Sequence, residues 1–300
     1  MAPHLLRTRR WERTSRGLYV AEGTQRSAAQ RILAAAALLP ADAVVGGWAA
    51  AHVHGVDLLD GVDSGGQELP IDALLPPGLH RQHVPGLRYR RALLVRGERV
   101  LVGDLPVTSP ARTAVDLACW APSSVEATAR LDLLLTAGVR LDELSTASLR
   151  WRRGVVRARE AFERARPGSR RPGETRLRLL YLEQVTEATI HLNPTLLDQD
   201  GRFVAVPDLF DEEAGLALEY DGASWDAART AGHRDPDQHR EDNVREEAME
   251  RLGVIVVRAD SGDLGRHRSR TAYRLRRARL DGLGRDRRRD RWILRPRDER

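Results

Sequence analysis

The segment from Val204 to Trp225, VAVPDLFDEEAGLALEYDGASW, constrains its own geometry more tightly than any other stretch of the chain. Apolar and polar residues alternate on both sides of an acidic, glycine-ended break, which is the pattern of two short strands joined by a tight turn. With Glu212, Glu213, Ala214 and Gly215 in the turn, Asp211 stands opposite Leu216 and Asp208 opposite Glu219. Opposite residues share a face, and the alternation adds Asp221, Val206 and Phe210 to it. Carboxylates directly opposite each other repel by tenths of a kcal/mol to about 1 kcal/mol, so Asp208 and Glu219 need a counter-ion there. Mg²⁺ or Mn²⁺ would supply one, because such an ion takes one or two carboxylates and completes its shell with water and phosphate oxygens.

Around this hairpin the hydrophobic periodicity predicts a helix over Thr175–Val185, strands over Arg202–Phe210 and Ala214–Gly222, and a helix over Gln238–Leu252. A buried strand over Val254–Arg258 and a helix over Arg270–Leu280 follow. Helix, β-hairpin, helix, strand, helix is an α/β domain, read over residues 174–282. Residues 1–150 read as a separate α+β region. There RRWERTSRGLYV is a strand pair, Gln25–Leu39 an alanine-rich helix stopped by Pro40, and 43–55 a second helix of small residues. Strands follow at 70–75, 86–95 and 98–102, and then a helix that Thr108 or Ser109 caps with Pro110 in its first turn. Residues 151–173, rich in arginine, proline and glycine, read as a basic linker or helix, and 283–300 as a disordered basic tail.

Charge sharpens the functional question. All 49 basic residues are arginine, against 43 acids. Fifteen arginines and five acids lie in 266–300, so the first 265 residues are net negative although the whole chain is +6. A second basic stretch, Arg150 to Arg178, holds eleven arginines and three glutamates. Two arginine clusters match the footprint that a nucleic acid requires. No apolar run reaches the roughly 18 residues of a membrane span, and the start lacks a signal-peptide core, so the expected compartment is the cytoplasm. Cys119, the only cysteine, excludes a disulfide framework and a multi-cysteine zinc site. His52 and His54 are two apart and point to different faces of a helix, which makes a shared metal implausible.

Further candidates flank the acidic pair. Glu174 opens the helix before the hairpin, either as an outer carboxylate or as an acid favoured at a helix N-terminus. On the helix after the hairpin, His239 and Asn243 share a face, and Arg245 could meet a phosphate from there or simply solvate the surface. Trp225 and Trp11 could stack on bases or serve as packing.

Taken together, Glu174, PDLF around Asp208, LEYDG with Glu219 and Asp221, HREDNVREE and RLGVIVVRAD resemble the actinobacterial domain related to the very-short-patch-repair endonuclease. That domain lies within the PD-(D/E)XK nuclease superfamily, and the resemblance covers about residues 170–267. The first 150 residues, with RRWERTSRGLYV, VVGGWAAAHVHG and LPVTSPARTAVDLA, are similar to the AbiEi-type antitoxin region, in which a winged helix-turn-helix comes first. RRWERTSRGLYV would be only its wing. The resemblance implies DNA binding and metal-dependent phosphodiester hydrolysis, with Asp208 and Glu219 as metal ligands and Glu174 as an accessory acid. Where the superfamily carries a lysine, this chain has Asp221, leaving Arg245 or His239 to replace it. The alternative it implies is a non-catalytic, antitoxin-like regulator or protein-interaction module, with a partner of the toxin–antitoxin type and the nuclease fold as scaffold.

Overall fold

The computed structural model describes residues 10–15, 18–24, 26–63, 65–140, 153–185, 187–222 and 236–296, with the backbone alone at 14, 15, 18 and 236–243. The chain is mixed α/β and divides into two units, Met1–Leu117 with Val139–Trp151, and Ala118–Gly138 with Arg152–Arg300.

The first unit opens on the expected strand pair, β1 (Trp11–Ser15) antiparallel to β2 (Leu18–Ala21). Helix α1 (Ala28–Ala36) starts where the Ser27 hydroxyl accepts the Gln30 amide at 3.2 Å, satisfying a donor that the first turn cannot. The helix expected over 43–55 is shorter than that. Val44–Gly46 is strand β3, and helix α2 (Gly47–Val53) begins only at Gly47. Val44 and Val45 pair with strand β4 (Ile71–Leu75), and both strands are buried throughout, so sheet packing of β-branched residues outweighs the helix propensity of the alanines after them.

Strands β5 (Leu87–Arg91), β6 (Arg99–Val102) and β7 (Leu105–Thr108) complete a five-stranded sheet in the order β5-β4-β3-β7-β6. The short, proline-bearing β7 gave no sequence signal; Gly103, at φ +59°, turns the chain back into it. Helix α3 (Pro110–Trp120) is capped as expected, Ser109 accepting the Arg112 amide at 3.3 Å. The core gathers Ile32, Trp48, Ala50, Val45, Ile71 and Val107. Trp48 donates its indole N–H to the Pro70 carbonyl at 2.9 Å, and Gly61 lies so close that a Cβ there would come within 2.3 Å of the ring.

In the second unit α5 (Val155–Arg164) and α6 (Pro172–Gln184) both pack on α4 (Ser124–Thr136). Of the linker or helix read over 151–173, residues 155–164 are helix: Ala158 and Ala161 are fully buried, and side chains that small let α4 approach closely. Strands β8 (Ile190–Leu192), β9 (Thr195–Asp198), β10 (Phe203–Ala205), β11 (Leu209–Asp211) and β12 (Leu216–Asp221) follow. Next come α7 (Pro236–Arg251), β13 (Ile255–Asp260), the short α8 (Ser261–Leu264), α9 (Arg268–Leu283) and β14 (Trp292–Arg295).

One sheet runs β13-β12-β11-β8, with β12 and β13 parallel and the other pairs antiparallel; a second runs β10-β9-β14. The strand expected over Arg202–Phe210 is thus two strands in different sheets. Pro207 lies between them, with no N–H to give a ladder and a ring that restricts the residue before it. The expected disordered tail is ordered through residue 296: β14 pairs with β9, and the Trp292 ring stands edge-on to Phe210 with centroids 5.0 Å apart. No helix among the described residues is long and apolar enough to cross a membrane.

Candidate functional site

The hairpin holds the register that alternation requires, Leu209 opposite Leu218, Phe210 opposite Ala217 and Asp211 opposite Leu216. Asp208 immediately precedes β11. Phe210 and Ala217 lie in a cluster with Met249 of α7, whereas Leu209 and Leu218 pack with Leu177 and Leu180 of α6, so the two faces of the sheet have separate cores.

Glu219 is 6% exposed, and the Arg245 guanidinium of α7 reaches it at 3.8 Å. Its neighbour across β13, Arg258, pairs with Glu246 of the same helix at 3.3 Å. Asp208 turns Oδ2 onto the Tyr220 amide, which donates to it at 2.8 Å, and its carbonyl accepts the Asn193 amide at 2.9 Å. Glu174, in the first turn of α6, is 3% exposed and accepts the Arg170 amide at 2.7 Å. The helix comes this close because Gly173 lies against the Tyr220 ring, 2.0 Å from where a Cβ would stand.

Electrostatics tie these groups together. Burial, and after it the charge of Asp208, pushes the Glu174 carboxyl from 4.5 up to about 7. Burial also raises Asp208, against the Tyr220 amide and the charges of Arg245, Arg171 and Arg170. Glu174, read from sequence as an outer carboxylate or a helix-end acid, is thus a buried acid on which the charge of Asp208 is felt.

Asp221 ends β12, half-buried, opposite Asp260 of β13. His239 and Asn243 lie on the α7 backbone with side chains outside the described residues, and Trp225 is outside them altogether. Trp11 belongs to β1, in the first unit. Among the described residues no group of three or more histidine, cysteine, aspartate or glutamate side chains is arranged to hold a metal ion.

Sequence reasoning missed Asn193. It is the one non-glycine residue with positive φ among those described, at +45°, and is 3% exposed. Its side-chain amide donates to the Gly168 carbonyl at 3.0 Å, and its presence beside Glu174 works against the burial that raises that carboxyl. The Asn193–Pro194 pair was the available signal, since that dipeptide marks turns and asparagine tolerates the left-handed region.

Three arginines of the basic stretch before the hairpin are spent inside the unit. Arg178, 4% exposed, pairs with the fully buried Asp132 at 2.7 Å. Arg176 makes two hydrogen bonds to Glu126, at 2.6 and 2.8 Å, and Arg157 donates to the Pro122 carbonyl at 2.9 Å. In the first unit Arg112 is likewise buried, held by Asp116 and by Glu98 at 2.6 Å, which gives the PARTAVD segment an interior ion network to build.

Residues 35–164 match the family model of the AbiEi antitoxin C-terminal domain. The matched stretch takes in the five-stranded sheet and α2 through α5, and ends before the acidic site. No curated protein and no solved structure matches the chain.

Proposed function

We propose that this is a nucleic-acid-binding regulator of the antitoxin kind, in which the second unit is a scaffold that presents arginine. The observation that carries this reading is the AbiEi antitoxin match over residues 35–164. The acidic site supports it: Glu219 already has Arg245 as a cation, and Asp208 sits in the field of Arg245, Arg171 and Arg170. The test is fluorescence anisotropy with a labelled duplex from upstream of the protein's own coding sequence, beside a scrambled duplex. Tighter binding to the former, weakening steeply with salt, is the expected result. Equal, salt-independent signals for both would end the proposal. A protein partner of toxin type would appear as a co-purifying product of the adjacent coding sequence.

A second reading rests on the buried Glu174–Asp208 pair, whose mutual repulsion a hard divalent cation would relieve. Buried carboxylates are the right donors for Mg²⁺ or Mn²⁺, and Asp208 and Glu219 would hold it, with Glu174 as an outer acid. The ion would supply an acidified water and charge stabilisation at phosphorus. Arg245 would then leave Glu219 to clamp a phosphate oxygen, His239 standing on the same helix. Nicking of supercoiled plasmid that requires Mn²⁺ and is lost in Asp208→Ala would establish this reading; its absence in wild type would remove it.

A further inference from the structure

The charge surplus after residue 265 is not spread evenly over its arginines. Arg279 is held by Asp211 at 3.0 Å and by Glu213 at 2.9 Å, and Arg285 by Asp290 at 2.9 Å and by backbone carbonyls. Arg268 pairs with Glu183, and Arg274 with Asp263 at 3.4 Å. Arg270 and Arg276 have no hydrogen-bond or ion-pair partner among the described residues, and Arg277 shares only the exposed Asp281, at 3.2 Å. On a helix turning about 100° per residue, Arg270, Tyr273, Arg276, Arg277 and Leu280 point away from the buried Thr271 and Leu275. Tyr273 is 72% exposed at the centre of that face.

We propose that this outward face of α9 is where the protein meets the phosphodiester backbone of a nucleic acid. Arg270, Arg276 and Arg277 take phosphates, and Tyr273 lies against a sugar or base. Charge complementarity selects the occupant: guanidinium forks fit phosphate oxygens in pairs, and an exposed aromatic ring amid cations provides a stacking surface. Arg270 and Arg277 are about 10 Å apart along the helix axis, close to the axial rise of three nucleotides. A membrane surface fits less well, since only Tyr273 and Leu280 would enter it. The inference rests on the nucleic-acid-binding reading above.

The experiment measures anisotropy of a labelled duplex with the full chain from about 50 to 200 mM salt. It compares wild type, the triple variant Arg270→Ala/Arg276→Ala/Arg277→Ala, Tyr273→Ala, and Arg202→Ala as an exposed control outside α9. The triple variant is expected to flatten the slope of log affinity against log salt by roughly 2 to 3, about 0.9 for each phosphate it no longer neutralises. Tyr273→Ala should weaken binding several-fold without changing that slope, and the control should match wild type. Circular dichroism of each variant checks folding, and the triple Arg→Lys variant, which keeps the charge, should hold most of the wild-type slope. Binding by a folded triple variant with the wild-type slope overturns the α9 assignment and leaves the nucleic-acid reading standing. Absence of salt-dependent binding by wild type overturns both. Displacement of the duplex by poly-glutamate at equal charge would transfer the face to an acidic protein and likewise overturn the assignment.

Discussion

Asp132 shows how much a single buried charge carries in this protein. It accepts the Arg166 amide at 2.8 Å, the Thr175 hydroxyl at 2.7 Å and the Arg178 guanidinium at 2.7 Å, so it joins α4 to α6 and to the turn between α5 and α6. Burial raises its pKa, and the Arg178 charge is the largest effect opposing this. Asp132→Ala strands Arg178 in the interior and is expected to cost about 3–5 kcal/mol in urea unfolding, whereas Asp132→Leu with Arg178→Met should recover much of that. A loss below about 1 kcal/mol would contradict the role given to this pair. Glu174 couples stability to pH. Its folded pKa of about 7 lies above the ordinary 4.5, so across that window the folded state holds more proton than the unfolded chain and stability falls as pH rises. Glu174→Gln removes that fall. In thermal melts with a chelator present, the variant should gain on wild type between about pH 5 and pH 8, and parallel curves would exclude the shifted carboxyl.

Among the elements, the approach of α6 to β12 depends on one missing side chain. Gly173→Ala puts a methyl group into the Tyr220 ring and should destabilise by about 1–3 kcal/mol, less in a Tyr220→Ala background, as a double-mutant cycle would measure. The register that sets Leu209 opposite Leu218 and Asp211 opposite Leu216 was legible because a period of two and a four-residue turn leave no slack. The break at Pro207, which sends β10 and β11 into different sheets, was not, because proline signals an interruption without saying where the chain goes next. Nor was β14. DRRRDRWILR reads as a solvated run, yet Trp292 finds Phe210, and β9 supplies the ladder. Hydrogen exchange should find the β14 amides protected together with those of β9; exchange at the rate of free peptide would contradict this pairing.

For the whole molecule, composition and periodicity correctly indicated a mixed α/β chain, and the last passage from the first unit to the second, between Trp151 and Arg152, lies at the head of the arginine-rich stretch. The second unit includes Ala118–Gly138, and the reason is ionic: Asp132 and Glu126 of α4 hold Arg178 and Arg176 of α6. Pairing across the intervening residues leaves no trace in local pattern, so the membership of Ala118–Gly138 in the second unit was not legible. A fragment starting at residue 174 is therefore expected to be unfolded by circular dichroism and one starting at residue 118 to be folded; equal folding of the two would refute the grouping. The sheet β10-β9-β14 also sets an order of events during synthesis. Strand β9 leaves the ribosome with β10 beside it, but its other flank, next to Leu196 and Leu197, waits through α7, β13 and α9 for β14. Throughout that delay the nascent chain offers an open, greasy template, which makes this flank the natural place for a chaperone to hold and for two growing chains to stick together.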